Sequence, residues 1–298
     1  MNFKTQVLLE GLTFGECPRW HEGKLWFSDI HAQRVMTIDL DGNAEVVVEA
    51  SGQPSGLGWL PDGRLLIVSM TGNLLWRLDV GGLTEVAYLD RLGGLNCNDM
   101  VVDKRGRAYI GHIGFDLWGG QAFAPASIIM VTPDGNARVV ADEMACPNGM
   151  VITPDGHTLI VAESWGSCLT AFDIEIDGSL TGRRVWAHLG KAPPHNIGSM
   201  AEPASLGSVV PDGMCLDDGG AVWVANPFGK EVLHVREGGE VTHRIELFTK
   251  SYACMLGGPD RRTLFIMTAE SARPDEAKAK KSGRVEIVKV DVPGAGLP

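Results

Sequence analysis

PNGMVITPDGHTLIVAES, residues 147–164, reads as a short apolar strand, a Pro-Asp-Gly turn and a second apolar strand. Asp-Gly at the tight position suits an antiparallel hairpin, because glycine accepts the positive φ that such turns require. The same frame recurs in PSGLGWLPDGRLLIVSM (54–70) and PDGMCLDDGGAVWVAN (211–226). Three looser copies are ECPRWHEGKLWFSDI (16–30), CNDMVVDKRGRAYIGH (97–112) and YACMLGGPDRRTLFIMTAES (252–271). After each pair come a loop, a third strand, another DG-type turn and a fourth strand, as in SIIMVTPDGNARVVA (127–141). Six such units, with spacings near the roughly 40–50 residues of a propeller blade plus insertions, predict an all-β chain. We read residues 1–298 as a single six-bladed β-propeller domain with four antiparallel strands per blade. The last unit is one strand short. FKTQVLLE (3–10) can supply the missing outer strand and close the ring, which removes exposed sheet edges.

Composition agrees. The 298 residues include 38 glycines, nearly twice the usual share, as many turns between short strands would require. A net charge of −11 speaks against a nucleic-acid surface. No apolar run approaches the roughly 18 residues of a membrane span. The start, MNFKTQVLLE, lacks the apolar core of a secretory signal, and the six cysteines form no CxxC pair. These features predict a reduced, cytoplasmic protein with neither a nucleic-acid nor a membrane partner.

Innermost strands of a propeller line its axis. Anchored on the turn glycine, the units align Glu16, Ser55, Asn98, Asn148, Asp212 and Ala253 at one depth. Two carboxylates thus converge with no lysine or arginine among the aligned positions. Such a pair is costly in a low-dielectric funnel unless it is protonated or bound to a cation. Glu16, Asn148 and Asp212 are the expected ligands of one divalent ion. Asn98 is a fourth ligand, a ligand through water, or a substrate hydrogen-bonder. Oxygen donors favour calcium, magnesium or manganese, while zinc and iron also accept carboxylates. Three protein ligands leave positions open, as a catalytic site needs. Strand direction puts the loops after second strands around this site. Two are long: 111–126, with Phe115, Trp118 and Phe123, and 188–210, with Met200 and His195. Both read as lids or pocket walls. The polar segment 270–283 reads as a rim.

GECPRW (15–20), NCNDMVVD (96–103), PNGM (147–150) and VPDGMCLDDGGAVWVAN (210–226) resemble the regucalcin, gluconolactonase and luciferin-regenerating family. The likeness runs through essentially the whole chain. It implies a six-bladed propeller with an axial divalent cation that, in many members, hydrolyses lactones. By that resemblance Glu16, Asn148 and Asp212 match metal ligands, Asp212 matches a catalytic acid/base, and Asn98 matches a substrate-contacting asparagine. Asn96 stands where sugar-lactone members often carry arginine. For a family glutamate that contacts sugar, Asp116 and Gln121 are the only local counterparts. With aromatic loops beside the site, this widens the expected substrate to a less polar lactone or ester. The reading is a metal-dependent lactonase with Asp212 as catalytic residue, Glu16, Asn148 and Asp212 on the metal, and Asn98, Asn96, His112, Phe115, Trp118 and Trp165 around the substrate. Two alternatives use the same hub: hydrolysis of organophosphates or aryl esters, and a non-catalytic metal-binding propeller.

Overall fold

The computed structural model describes residues 3–193 and 208–296. Among these residues, six four-stranded antiparallel sheets are arranged as blades. Each of the first five blades takes its strands consecutively in sequence. The sixth is composite: Gln6–Leu12 pairs antiparallel with Gly283–Lys289, outermost on a sheet whose other strands are Thr263–Ala269 and Lys250–Gly257. The N-terminal strand therefore fastens the ring, as the missing fourth strand predicted.

Turn chemistry explains the hairpins. Asp103 Oδ1 accepts the amide hydrogens of Arg105 and Arg107, both at 2.9 Å. Asp217 Oδ1 accepts those of Gly219 and Ala221, also at 2.9 Å. Each aspartate satisfies donors that the reversing chain leaves unpaired.

The core lies between blades. Leu66 and Val68 of the second blade pack with Met100, Val102 and Ile110 of the third. Trp20 stacks on Phe265 at 5.4 Å, joining the first blade to the last, and Trp59 stacks on His21 at 4.0 Å, joining the second to the first. Trp223 is buried, with Phe3, just ahead of the fastening strand, edge-on to it. All six cysteines are free, and five are buried. Among the described residues no helix is long and apolar enough to cross a membrane. The one α-helix there, Pro274–Lys280, lies in the segment read from sequence as a polar rim.

Inner strands set the hub. They are Gly15–His21, Pro54–Trp59, Cys97–Val102, Pro147–Ile152, Met214–Leu216 and Lys250–Gly257. Near the axis the fourth and fifth of them come so close to the next strand that no side chain fits after the hub position. A Cβ on Gly149 would stand 2.6 Å from Asp212 O, and one on Gly213 would stand 2.3 Å from Ala253 Cβ. The glycines of the PNG and PDG motifs are thus required by close approach, and they bring Asn148 and Asp212 together.

Candidate active site

Around the hub opens a cavity of about 490 Å³. Glu16, Asn98, Asn148 and Asp212 line it, as the alignment of the repeats expected. Ser55 is fully buried, donating through Oγ to Asn98 O at 2.8 Å, and serves the neighbouring strand. The sixth aligned position needs correction. Ser251 pairs with Thr268 and Cys254 with Ile266, a register that matches Pro147 with Glu163 and Met150 with Val161. Tyr252, rather than Ala253, is therefore the counterpart of Asn148. Tyr252 lines the cavity, while Ala253 packs in the core against Gly213. The sixth unit has no Pro-Asp-Gly turn, so anchoring on a turn glycine slips there by one residue.

The hub acids are electrostatically strained. Burial pushes the Glu16 carboxyl up to about 8, against a hydrogen bond of 2.7 Å from its neighbour Cys17 N–H to Oε2. Burial also lifts Asp212 well above the carboxylate range, and the facing charge of Glu16 adds to the rise. A counter-charge unforeseen in the sequence does enter the hub. Arg19, two strand positions below Cys17, is buried, but its guanidinium is committed elsewhere. It donates to Asp99 Oδ1 at 2.6 Å, Met100 O at 2.5 Å and Pro18 O at 2.8 Å. Arg19 thus spends its hydrogen bonds on Asp99 and the backbone, and its charge only partly offsets that of Asp99, which still raises both Glu16 and Asp212. The partners are 80 residues apart in sequence, and no local motif joins them.

The donor set fits a hard cation. Among the described residues no three His, Cys, Asp or Glu side chains gather as a metal cluster. The hub instead offers two carboxylates and two carboxamides. Asn148 Nδ2 donates to Ser164 Oγ at 3.2 Å, and Ser164 Oγ donates in turn to Pro211 O at 2.7 Å. Asn98 Nδ2 donates to Pro147 O at 3.4 Å. Both amide nitrogens thus have acceptors, and the Asn148 side chain also bonds the Asp212 carboxylate. Buried acids with few donors beside carboxamide oxygens make the kind of donor set that an oxygen-coordinated divalent ion takes.

Residues just past each second strand complete the walls: Ile30, Met70, Ile113, Trp165, Phe228 and Ser271. Phe115 and Trp165 are buried edge to face, with centroids 5.5 Å apart, in an apolar wall that Phe123 and Phe228 join. Asn96 and Trp118 also line the cavity. His112 does not. As the last residue of its strand it is fully buried, its Nε2 is 3.3 Å from Cys97 Sγ, and its ring presses against Gly93. Burial lowers its pKa to about 4. The expected substrate contact at His112 is replaced by Ile113, one residue further on. Asp116 and Gln121 reach the cavity, but their oxygens serve the loop: Asp116 Oδ1 accepts the amides of Trp118 and Gly119, and Gln121 Oε1 accepts that of Asp116. Of loop 188–210, Val210 lines the cavity, whereas Met200 and His195 fall outside the described residues. Sequence reading missed His31 and Lys250 in the lining. His31 was findable, because it lies past a second strand in the same way as Trp165.

The family profile described as "SMP-30/Gluconolactonase/LRE-like region" matches residues 14–270. The chain belongs to this family. A member from Pseudomonas putida, 6-deoxy-6-sulfogluconolactonase, is 25% identical over 98% of this chain and 96% of its own length. The pentonolactonase of Haloferax volcanii is 25% identical over 99% of this chain and 96% of its own. The solved structure of regucalcin from Agrobacterium tumefaciens, titled a calcium-binding protein, superposes with a TM-score of 0.78. It covers 100% of this chain and 97% of that one at 22% identity, a likeness of fold.

Proposed function

We propose that this family member is a divalent-metal-dependent lactonase that adds water to the carbonyl of a cyclic ester and releases the hydroxy acid. The observation that carries the reading is the pair of buried acids, Glu16 and Asp212, facing one another at the hub of a cavity large enough for a small molecule. Relatives named as lactonases that align over nearly the whole chain support it. Glu16, Asn148 and Asp212 would hold the cation. When bound, such an ion supplies Lewis-acid polarisation of the carbonyl and positive charge opposite the developing oxyanion. Asp212 takes the proton of the attacking water and returns it to the ring oxygen as the carbon–oxygen bond breaks. Asn98 donates to or ligates near the reacting ester, Asn96 sits beside it, and Phe115, Trp118 and Trp165 pack the ring and exclude bulk water. A reducing, cytoplasmic setting accords with six free cysteines.

The test is a pH-drop screen of aldonolactones and aryl-substituted lactones on chelator-stripped protein, with calcium, magnesium, manganese, zinc and ferrous ions added back singly. We expect no turnover in chelator and recovery with at least one cation. Silence on every lactone with every cation sinks the reading. A preference for aryl esters or phosphotriesters in the same screen moves it to that class.

A further inference from the structure

Among the described residues, the charged groups that line the cavity mouth are engaged with one exception. Glu270 meets Lys280 Nζ at 3.0 Å, and Arg273 has Glu276 at 3.9 Å, with its guanidinium over the Trp118 ring at 5.4 Å. Asp116 is held by loop amides. Glu16 and Asp212 belong to the hub. Lys250 remains. It opens the innermost strand of the sixth blade, two residues before Tyr252, and lines the cavity partly buried. Among the described residues its ammonium has no hydrogen-bond acceptor and no carboxylate within 4.0 Å. Its nearest feature is the Phe228 ring, 5.7 Å from Nζ, and Phe228 packs with the Phe115–Trp165 wall. The field of Glu276 reaches it, opposed by Lys230 and Lys280. Partial burial draws its pKa down, as expected for an ammonium partly withdrawn from water without a bonded counter-ion. A lysine with only structural duties would turn its head to solvent or to an acid.

We propose that Lys250 is a specificity-determining residue for an anionic substituent on the substrate, a carboxylate, sulfonate or phosphate set apart from the ester being cleaved. The Phe228–Phe115–Trp165 wall would cover the apolar stretch of substrate between the two. The inference deepens the lactonase reading and depends on it only for the word substrate. Chemically it asks for one charge-assisted contact, and such contacts discriminate roughly tenfold or more between a charged group and its neutral isostere.

The experiment compares matched γ-lactones bearing a side-chain carboxylate, sulfonate, phosphate or neutral carboxamide. It reads the ratio of kcat/KM for the anionic over the neutral member in wild type, Lys250→Gln, Lys250→Arg and Lys250→Glu. A ratio is independent of how much of a variant folds. Wild type should favour one anion by about tenfold. Lys250→Gln should bring the ratio to near one, Lys250→Arg should keep most of it, and Lys250→Glu should invert it. Binding of the corresponding non-hydrolysed lactams by calorimetry gives the same ratio without turnover. If lactams show the charge preference and its loss in Lys250→Gln while no lactone is cleaved, the anion subsite holds and the lactonase reading falls. If lactones are cleaved with a ratio indifferent to Lys250, the subsite falls and the lactonase reading stands. No charge preference in either assay overturns the subsite.

Discussion

Aspartates at the two ends of the inner strands have opposite fates. At the hairpin end, Asp217 is buried yet fully served: two backbone amides bond Oδ1, and His234 Nε2 lies 2.7 Å from Oδ2. Asp103 is served likewise, with Arg107 Nε at 2.6 Å from Oδ2. More exposed turn acids such as Asp155 and Asp177 titrate below the ordinary carboxylate range because side-chain and backbone donors reach them. At the hub end, burial pushes both Asp212 and Glu16 upward, the charge of Asp99 adds to both and that of Glu16 to Asp212, and the few donors that reach them do not offset the rise. A buried carboxylate surrounded by donors has its bonding complete and serves the fold. One starved of donors stores unfavourable electrostatics that a bound cation can relieve, which is how a functional site differs from a turn.

The sharpest way to break this contrast is to neutralise one acid at each end. Asp212→Asn removes the proposed base and half of the facing charge. On any lactone the screen finds, kcat/KM should fall by about 10³-fold. The melting temperature of the chelator-treated variant should equal or exceed that of wild type, because a disfavoured charge is gone. Activity within tenfold of wild type would show that Asp212 is not the base. Asp217→Ala should behave in the opposite way. It orphans two amides and a histidine at a buried site, costing about 3 kcal/mol in urea denaturation. Turnover per folded molecule should stay within about twofold, since the turn lies away from the cavity. If Asp217→Ala is silent in stability, the turn acids are not the structural half of the pair.

The same contrast explains what could be read from the chain. Repetition of DG-type turns between apolar strands made the six blades legible. The hub oxygens followed from alignment alone. What escaped depended on contacts between distant segments or on a single residue of register. Arg19 reaches Asp99 across 80 residues, so this pairing has no sequence signature. Tyr252 hid behind Ala253 because the hairpin is one residue longer there, Cys254 pairing with Ile266 where Met150 pairs with Val161, and no turn glycine marks the frame. His112 and Ile113 are adjacent, and only the final strand pairing, Cys97 with His112, decides which of the two turns inward to the core. Lys250 is one of many surface-type residues until the fold shows that, among the described residues, the other charged side chains lining the cavity mouth are engaged.

A smaller and more general effect separates the two ends without knowledge of the substrate. Glu16 titrates near 8 in the folded protein and near 4.5 when exposed, so between those values the folded state holds more protons than the unfolded one. Its contribution to stability is complete below about 4.5 and is lost as pH climbs through about 8. Asp212 shifts in the same sense, so in chelator the melting temperature should decline by several degrees from pH 5 to pH 8.5. A divalent cation binds the ionised pair and stabilises the folded state by mass action, increasingly so as the protons leave. Added calcium or manganese should therefore flatten or reverse the decline, with little effect at pH 5. Asp212→Asn should flatten it in chelator and abolish the response to cation. Turn acids such as Asp155 and Asp177 pull the other way, being lowered in the fold. Asp217→Ala, which removes the hydrogen bonds that close its turn, should shift the whole curve down and leave its response to cation intact. A profile in which cation raises the melting temperature equally at pH 5 and pH 8.5 would place the bound ion somewhere other than between Glu16 and Asp212.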